Sequence, residues 1–210
     1  MQPTQLIIIR HGETEWNLEG RIQGHMDSPL TESGRAQAEA IATRLQTVEV
    51  NALYSSDRGR AYSTAQVVSH KTGQDILTDK RLRELHLGKF EGLTEEEVRK
   101  RFPEEYVYLK KAVPDYIYPG GESKEQFSLR VISCLEELMG KHQGEQIVVI
   151  THGGALSRLI RYTLGMPVVG SNEYKICNAA LNIFSYENKR GQLEIWGDLS
   201  HLTEVRITSA

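Results

Sequence analysis

Leu6-Ile7-Ile8-Ile9-Arg10-His11-Gly12 near the start of the chain and Ile147-Val148-Val149-Ile150-Thr151-His152-Gly153 far downstream decide the fold. Each opens with a short, unbroken aliphatic run, the pattern of a strand covered on both faces in a parallel sheet. Each run ends in a polar residue, a histidine and a glycine. In open α/β sheets, ligands sit just outside the carboxyl ends of the strands. If the two strands are neighbours, His11 and His152 meet at that edge with Arg10 beside them. Two imidazoles and a guanidinium facing one point suit a dianionic phosphate, and an imidazole is a nucleophile that needs no metal. Either histidine alone would read as a helix cap or a core residue. The pair in matched contexts points to a site.

Moving outward, the first strand is expected at about Gln5–Ile9, followed by a polar loop from Arg10 to Pro29. Thr31 can cap a helix with Ala38, Ile41, Ala42, Leu45 and Val48 on one stripe. Ala52–Ser55 reads as a second strand, and Asp57 as the cap of a helix with Ala61, Ala65 and Val68 inward. Ile76 to Leu85 is extended or loop. Thr94-x-x-Glu97 and Ser123-x-x-Gln126 match the capping box, so a helix should start at each. The second helix has Phe127, Val131, Cys134, Leu135 and Leu138 on one stripe and is expected to stop at Gly140. After the strand Ile147–Thr151 comes a helix with Leu156, Leu159, Ile160 and Leu164, ending at Gly165 with Pro167 beyond. Ala179–Tyr186, a turn at Asn188–Gly191 and Leu193–Trp196 predict a β-hairpin at the sheet edge. The alternation of strands and helices predicts a three-layer α/β/α sandwich with a mostly parallel central sheet. Phe90–Gly121 breaks that alternation. It carries Tyr106, Tyr108, Tyr116 and Tyr118 and reads as a helical insertion over the strand ends, or else as a surface excursion whose tyrosines pack on the core.

At 210 residues, 39% of them apolar, the chain is sized for one α/β domain over residues 1–210 with an insertion at about 90–121. A net charge of −3 without a long basic run argues against a nucleic-acid partner. Cys134 and Cys177 belong to no CxxC pattern and read as reduced core residues. No signal-like segment and no apolar run of membrane length occurs, so a cytoplasmic protein with no membrane partner is expected. Composition leaves the oligomeric state open.

The motifs also match a known family. Arg10-His11-Gly12-Glu13-Thr14 with Trp16-Asn17 resembles the opening motif of the histidine phosphatase superfamily, the phosphoglycerate mutase-like proteins. Gln23-Gly24 with Asp27-Ser28-Pro29-Leu30-Thr31 and Gly34 looks like its next block. Ser55-Ser56-Asp57 with Arg60-Ala61 and Thr64-Ala65 follows, then Leu82-Arg83-Glu84 with Gly88 and Glu91-Gly92. Gly120-Gly121-Glu122-Ser123 and Thr151-His152-Gly153 complete the order, so the resemblance covers nearly the whole chain.

The resemblance implies roles that make physical sense. His11 would be the nucleophile, forming a phosphohistidine. Arg10 would grip two phosphate oxygens in a fork. Arg60, in the first turn of its helix, and His152 would complete the basic receptor, since phosphoryl transfer is mostly positioning and charge neutralisation. Asn17 would donate on the phosphate side. Gln23 and Gly24 would line the substrate side, with Glu13 and Gly153 beside them. Glu84 would protonate the leaving alkoxide, with Glu13 as the alternative acid. His25, His70, His86, His142 and His201 fall outside the matched set, although His86 is near enough to Glu84 to touch substrate. No metal or other cofactor is expected, because His11 and His152 as ligands would leave Arg10 and Arg60 beside a cation.

Glycolytic mutases of this family follow their acid with a Glu-Arg-His-Tyr-Gly type sequence. Here the stretch is Arg83-Glu84-Leu85-His86-Leu87-Gly88, closer to the small bacterial phosphatases, including broad-specificity and alpha-ribazole phosphatases. The expected activity is therefore hydrolysis of a small phosphomonoester. A mutase and a non-catalytic phosphate-binding protein are the alternatives. Specificity is expected in Phe90–Gly121 and in the Gly20–Pro29 loop.

Overall fold

The computed structural model describes residues 2–167, 174–187 and 190–202. Strands β1 (Thr4–Arg10) and β4 (Gln146–Thr151) lie side by side and parallel, with Ile9 opposite Ile150 and Arg10 opposite Thr151. The two quoted stretches are therefore neighbours. The ladder runs one step further, where the His11 N–H donates to the Thr151 carbonyl at 2.9 Å. β2 (Ala52–Ser55) pairs parallel with β4 and with the edge strand β3 (Ile76–Thr78). On the other flank β5 (Leu181–Glu187) runs antiparallel to β1 and pairs with β6 (Arg190–Asp198) as the expected hairpin. The sheet order is β3-β2-β4-β1-β5-β6. Residues 188 and 189 of the expected turn lie outside the described residues.

The aliphatic runs are unbroken because both faces of the sheet are covered. Leu6, Ile8, Ile147 and Val149 pack against α6 (Lys124–Lys141) and α7 (Gly153–Thr163), through Phe127, Val131, Leu135, Leu156 and Leu159. Ile7, Ile9, Val148 and Ile150 face the other way, onto Ile41 and Leu45 of α2 (Glu32–Leu45) and Ala61, Ala65 and Val68 of α3 (Gly59–Thr72). Each such side chain contributes about 1.5–3 kcal/mol by leaving water. The stripes predicted for α2, α3, α6 and α7 are the buried ones, except that α2 ends before Val48 and α7 ends before Leu164, which is exposed; α6 passes Gly140 to end at Lys141. Cys134 and Cys177 are buried and unpaired.

The structure departs from the sequence reading in two local places. The Arg10–Pro29 loop contains a one-turn helix, α1 (Glu15–Glu19), with Thr14 as N-cap and Asn17 closing a capping box. Asp57 does not cap α3; Arg58 holds that position and makes no side-chain bond there. Asp57 is taken by Arg83 in a two-pronged ion pair. The Gly59 and Arg60 N–H groups donate instead to Asp27, at 2.8 and 3.3 Å. A carboxylate from a distant loop thus does the work that the sequence assigned to the adjacent one.

The insertion carries α4 (Glu95–Arg101) and α5 (Pro103–Lys111), and the capping boxes predicted at Thr94 and Ser123 both form. Its tyrosines pack. Phe90, Val98 and Tyr118 form a small core with Phe102, Tyr106, Leu109 and Tyr116, set against Ile22, Leu85 and Leu87. No described helix is long and apolar enough to cross a membrane.

Candidate active site

At the carboxyl ends of β1, β2 and β4 the polar ends of the strands converge on a cleft of about 400 Å³. Eight of the ten expected residues line it: Arg10, His11, Asn17, Gln23, Gly24, Arg60, Glu84 and Gly153. His152 lies behind His11, fully buried, its ring edge-on with the centroids 5.3 Å apart. Glu13 is not in the lining. It is buried below, where its carboxylate accepts from the Thr31 hydroxyl at 2.7 Å and its N–H donates to Gln37, tying the loop to the start of α2. That approach is close enough to require glycine, since a Cβ on Gly34 would lie 2.0 Å from the Glu13 carbonyl oxygen. A larger hollow, about 650 Å³, opens between Thr4, Met139, Gly144, Tyr162 and Tyr186, and among the described residues no basic side chain lines it.

The tautomer of His11 follows from its partners. Nδ1 lies 2.7 Å from the Gly12 carbonyl, which can only accept, so Nδ1 carries the proton. Nε2 receives the Arg60 Nε–H at 3.2 Å and so presents a lone pair. Burial pushes the His11 pKa well below 6.5, and the charges of Arg60 and Arg10 push it further the same way. His152 is lowered for the same reasons, burial first and then Arg60 and His11. Both rings are therefore neutral at pH 7. His152 Nε2 bonds the Ser56 hydroxyl at 2.8 Å, and its Nδ1, like Arg10 Nε, is buried without a protein partner. Such groups cost free energy unless a ligand satisfies them.

Arg60 is held from several sides. Nη1 donates to the Met26 carbonyl at 2.6 Å and to Asp27 at 3.0 Å, and Nη2 to the Gly24 carbonyl at 2.8 Å. The Gly24 backbone turns with φ +51°, and a Cβ there would strike the Glu91 carboxylate at 2.1 Å. Glu91 in turn accepts the N–H groups of His25, Met26 and Leu87, fastening the loop of Gly24 to the loop of Glu84. Burial lowers the Arg10 pKa to about 10, with Arg60 lowering and Glu84 raising it; the guanidinium remains charged at pH 7. Arg10 Nη1 is anchored on the Ile176 carbonyl at 2.8 Å. The Glu84 oxygens accept the N–H of Leu85 at 2.8 Å and of Gly154, in the first turn of α7, at 2.9 Å.

Several functional neighbours were not singled out as site residues by the sequence reading. Ser56 and Asp27 stood in the quoted motifs, but their partners are 96 and 33 residues away. Asn178 donates to the His11 carbonyl at 2.8 Å and sits 3.4 Å from Asn17, and nothing in its local sequence marks it. Gly154, Ser157 and Arg158 share the cleft face of α7, and their i, i+3, i+4 spacing after His152 was a readable signal. Ile22, Leu87, Tyr174 and Ile176 make the apolar part of the wall, with Arg21 at its side. The Gly20–Pro29 loop thus enters the lining as expected, whereas Phe90–Gly121 stays outside it, backing Ile22 and Leu87 and, through Glu91, holding the loops of Gly24 and Glu84. His86 stacks on His25 with centroids 4.3 Å apart, outside the cleft lining.

A neutral imidazole, two buried guanidinium groups and one carboxyl thus share a cleft at a parallel-sheet edge. Residues 6–199 match the model of the histidine phosphatase superfamily (branch 1), and the chain belongs to that family. It is 41% identical over 205 residues to phosphoglycerate mutase-like protein 4 of Arabidopsis thaliana, covering 96% of this chain and 88% of that one. Among solved structures, Bacillus stearothermophilus YhfR superposes with a TM-score of 0.86 at 34% identity, covering 94% of this chain and 98% of that one. The mycobacterial glucosyl-3-phosphoglycerate phosphatase Rv2419c, in complex with VO3, gives a TM-score of 0.79 at 30% identity, covering 92% and 98%.

Proposed function

We propose that this chain is a metal-independent phosphomonoesterase acting on small phosphorylated metabolites through a phosphohistidine at His11. The observation that carries the reading is the state of His11: neutral, protonated on Nδ1, and presenting Nε2 between two arginines. The Nε2 lone pair attacks phosphorus as the ester P–O bond breaks, and Glu84 gives its proton to the departing alkoxide. The Gly12 carbonyl, bonded to Nδ1–H, stabilises the positive charge that develops on the ring. Attack uses the lone pair that Arg60 Nε–H was meeting, and so frees that donor for a phosphoryl oxygen. Water then attacks phosphorus, Glu84 takes its proton, and the N–P bond breaks to return His11.

Asn17, Gln23, Gly24 and Gly153 would bind substrate, and Glu13 would support the loop that carries them. Leu87 in the wall, where glycolytic mutases carry other groups after their acid, favours hydrolysis over a mutase cycle, which must exclude water to keep its intermediate. Rapid quench of turnover with a phosphorus-labelled monoester should trap acid-labile, base-stable label on His11, and His11→Ala should abolish label and phosphate release together. A His11→Ala enzyme that keeps near-native turnover would sink the reading. Interconversion of 2- and 3-phosphoglycerate dependent on the bisphosphate would replace it with the mutase reading.

A further inference from the structure

Glu84 sits in a segment that no regular ladder holds. Between β3 and α4 the described backbone forms only two short 3₁₀ turns, Lys80–Leu82 and Gly88–Phe90. A proton donor must be placed to within a fraction of an ångström, so something else must fix this stretch. Thr151 donates to the Leu82 carbonyl at 2.7 Å and His25 Nε2 bonds the Glu84 carbonyl at 2.9 Å, but one side chain spans the whole stretch. Arg130, on α6 and outside the cleft lining, donates from Nη1 to the carbonyls of Arg81 and Arg83, both at 2.8 Å. Its Nη2 donates to the carbonyl of Glu84 itself at 2.7 Å and to Glu122 at 2.5 Å. Nε completes the set on the second Glu122 oxygen at 2.9 Å. All five N–H donors are engaged, and Phe127 supports the plane from 4.8 Å.

Glu122 extends the clamp. It accepts the His86 N–H at 2.9 Å, and its own N–H donates to the His86 carbonyl at 2.9 Å. The backbone on both sides of Glu84 is therefore tied to one guanidinium–carboxylate pair. The Gly120-Gly121 step makes room for this, since a Cβ on Gly121 would lie 2.2 Å from the His86 carbonyl.

We propose that Arg130, anchored by Glu122, is a positioning residue for the general acid. It acts through the backbone of residues 81–84, to set the Glu84 carboxyl for proton delivery, and touches no substrate. This rests on Glu84 being the acid of the proposed reaction. Its signature is selectivity for the leaving group. A misplaced acid slows departure of an alkoxide and matters little for p-nitrophenolate, whereas a general loosening of the fold slows both.

The test is single-turnover phosphorylation of His11 by glycerol phosphate and by p-nitrophenyl phosphate, in wild type, Arg130→Lys and Glu122→Gln. Lysine keeps the charge, but its three donors on one nitrogen cannot reproduce the planar five-donor fork that holds three carbonyls and both Glu122 oxygens at once. Glutamine keeps the shape of Glu122 but loses the two-pronged anchor, and it decides the matter if the lysine variant does not fold. The expected loss is about 10–100-fold with glycerol phosphate, within the range of misplaced catalytic groups, and under about 3-fold with p-nitrophenyl phosphate. Equal losses with both donors, or none with either in a folded variant, overturn the proposal. Phosphorylation of wild-type His11 without later hydrolysis would defeat the phosphatase reading alone. Absence of any phosphorylation would defeat both.

Discussion

Two neutral, buried histidines should make this protein acid-sensitive well above the pH at which its carboxylates titrate. In the unfolded chain His11 and His152 take up protons near pH 6.5. In the fold both values are pushed well below that, by burial first and then by neighbouring cations. As pH falls below 6.5 the unfolded state binds protons that the folded state refuses, so stability falls with pH in that window. At pH 5.5 the cost is about 1.4 kcal/mol for each ring and about 3 kcal/mol for the two, set against a typical total of about 5–15 kcal/mol. Urea unfolding followed by circular dichroism at pH 7.5, 6.5 and 5.5 measures it. The comparison is with His11→Asn, His152→Asn and the double variant, in which all other titrating groups are unchanged. Each single variant should lose about 1.4 kcal/mol of the acid-side fall, and the double variant about twice that. If wild type and double variant show the same pH dependence, the rings are not held neutral and the argument for His11 as a ready nucleophile fails with them.

Glu84→Gln should cut kcat/KM about 10²–10⁴-fold for alkyl phosphates and far less for p-nitrophenyl phosphate. Equal losses would move the acid role to a water, because Glu13 is buried outside the cleft lining. Dialysis against EDTA should leave turnover of either substrate unchanged, and loss with recovery on adding a divalent ion would overturn the metal-free mechanism.

What could be read beforehand followed physical range. Repeating aliphatic runs encode strands buried on both sides, so β1, β4 and the helices flanking them were legible, and so were residues that sit at strand ends, such as Arg10, His11 and His152. Caps set by local hydrogen bonds, at Thr31, Thr94 and Ser123, were legible for the same reason. The misses are long-range. Asp27 displaces Asp57 as the cap of α3 only because a loop folds back 32 residues to reach Gly59. Asn178 and Arg130 act on backbone carbonyls, and a carbonyl carries no sequence identity for a partner to match. The contribution of Phe90–Gly121 was likewise out of reach, since whether a tyrosine lines a cleft or fills a small core depends on which way the inserted helices lean.

The order of strands in the sheet also has a consequence for the chain as it is made. β1 leaves the ribosome before the other strands of the sheet, yet its neighbours are residues 146–151 and 181–187. At about 5–20 residues per second, the Leu6–Ile9 run waits on the order of ten seconds for β4, the first of them. Until then it is an apolar segment with both edges open, the kind that chaperones hold and neighbouring nascent chains capture. His11 emerges with β1, and Arg60, Glu84 and His152 join it in sequence. The cleft closes only once His152 has been synthesised, so a chain that stalls before β4 has no assembled cluster of His11, Arg60, Glu84 and His152.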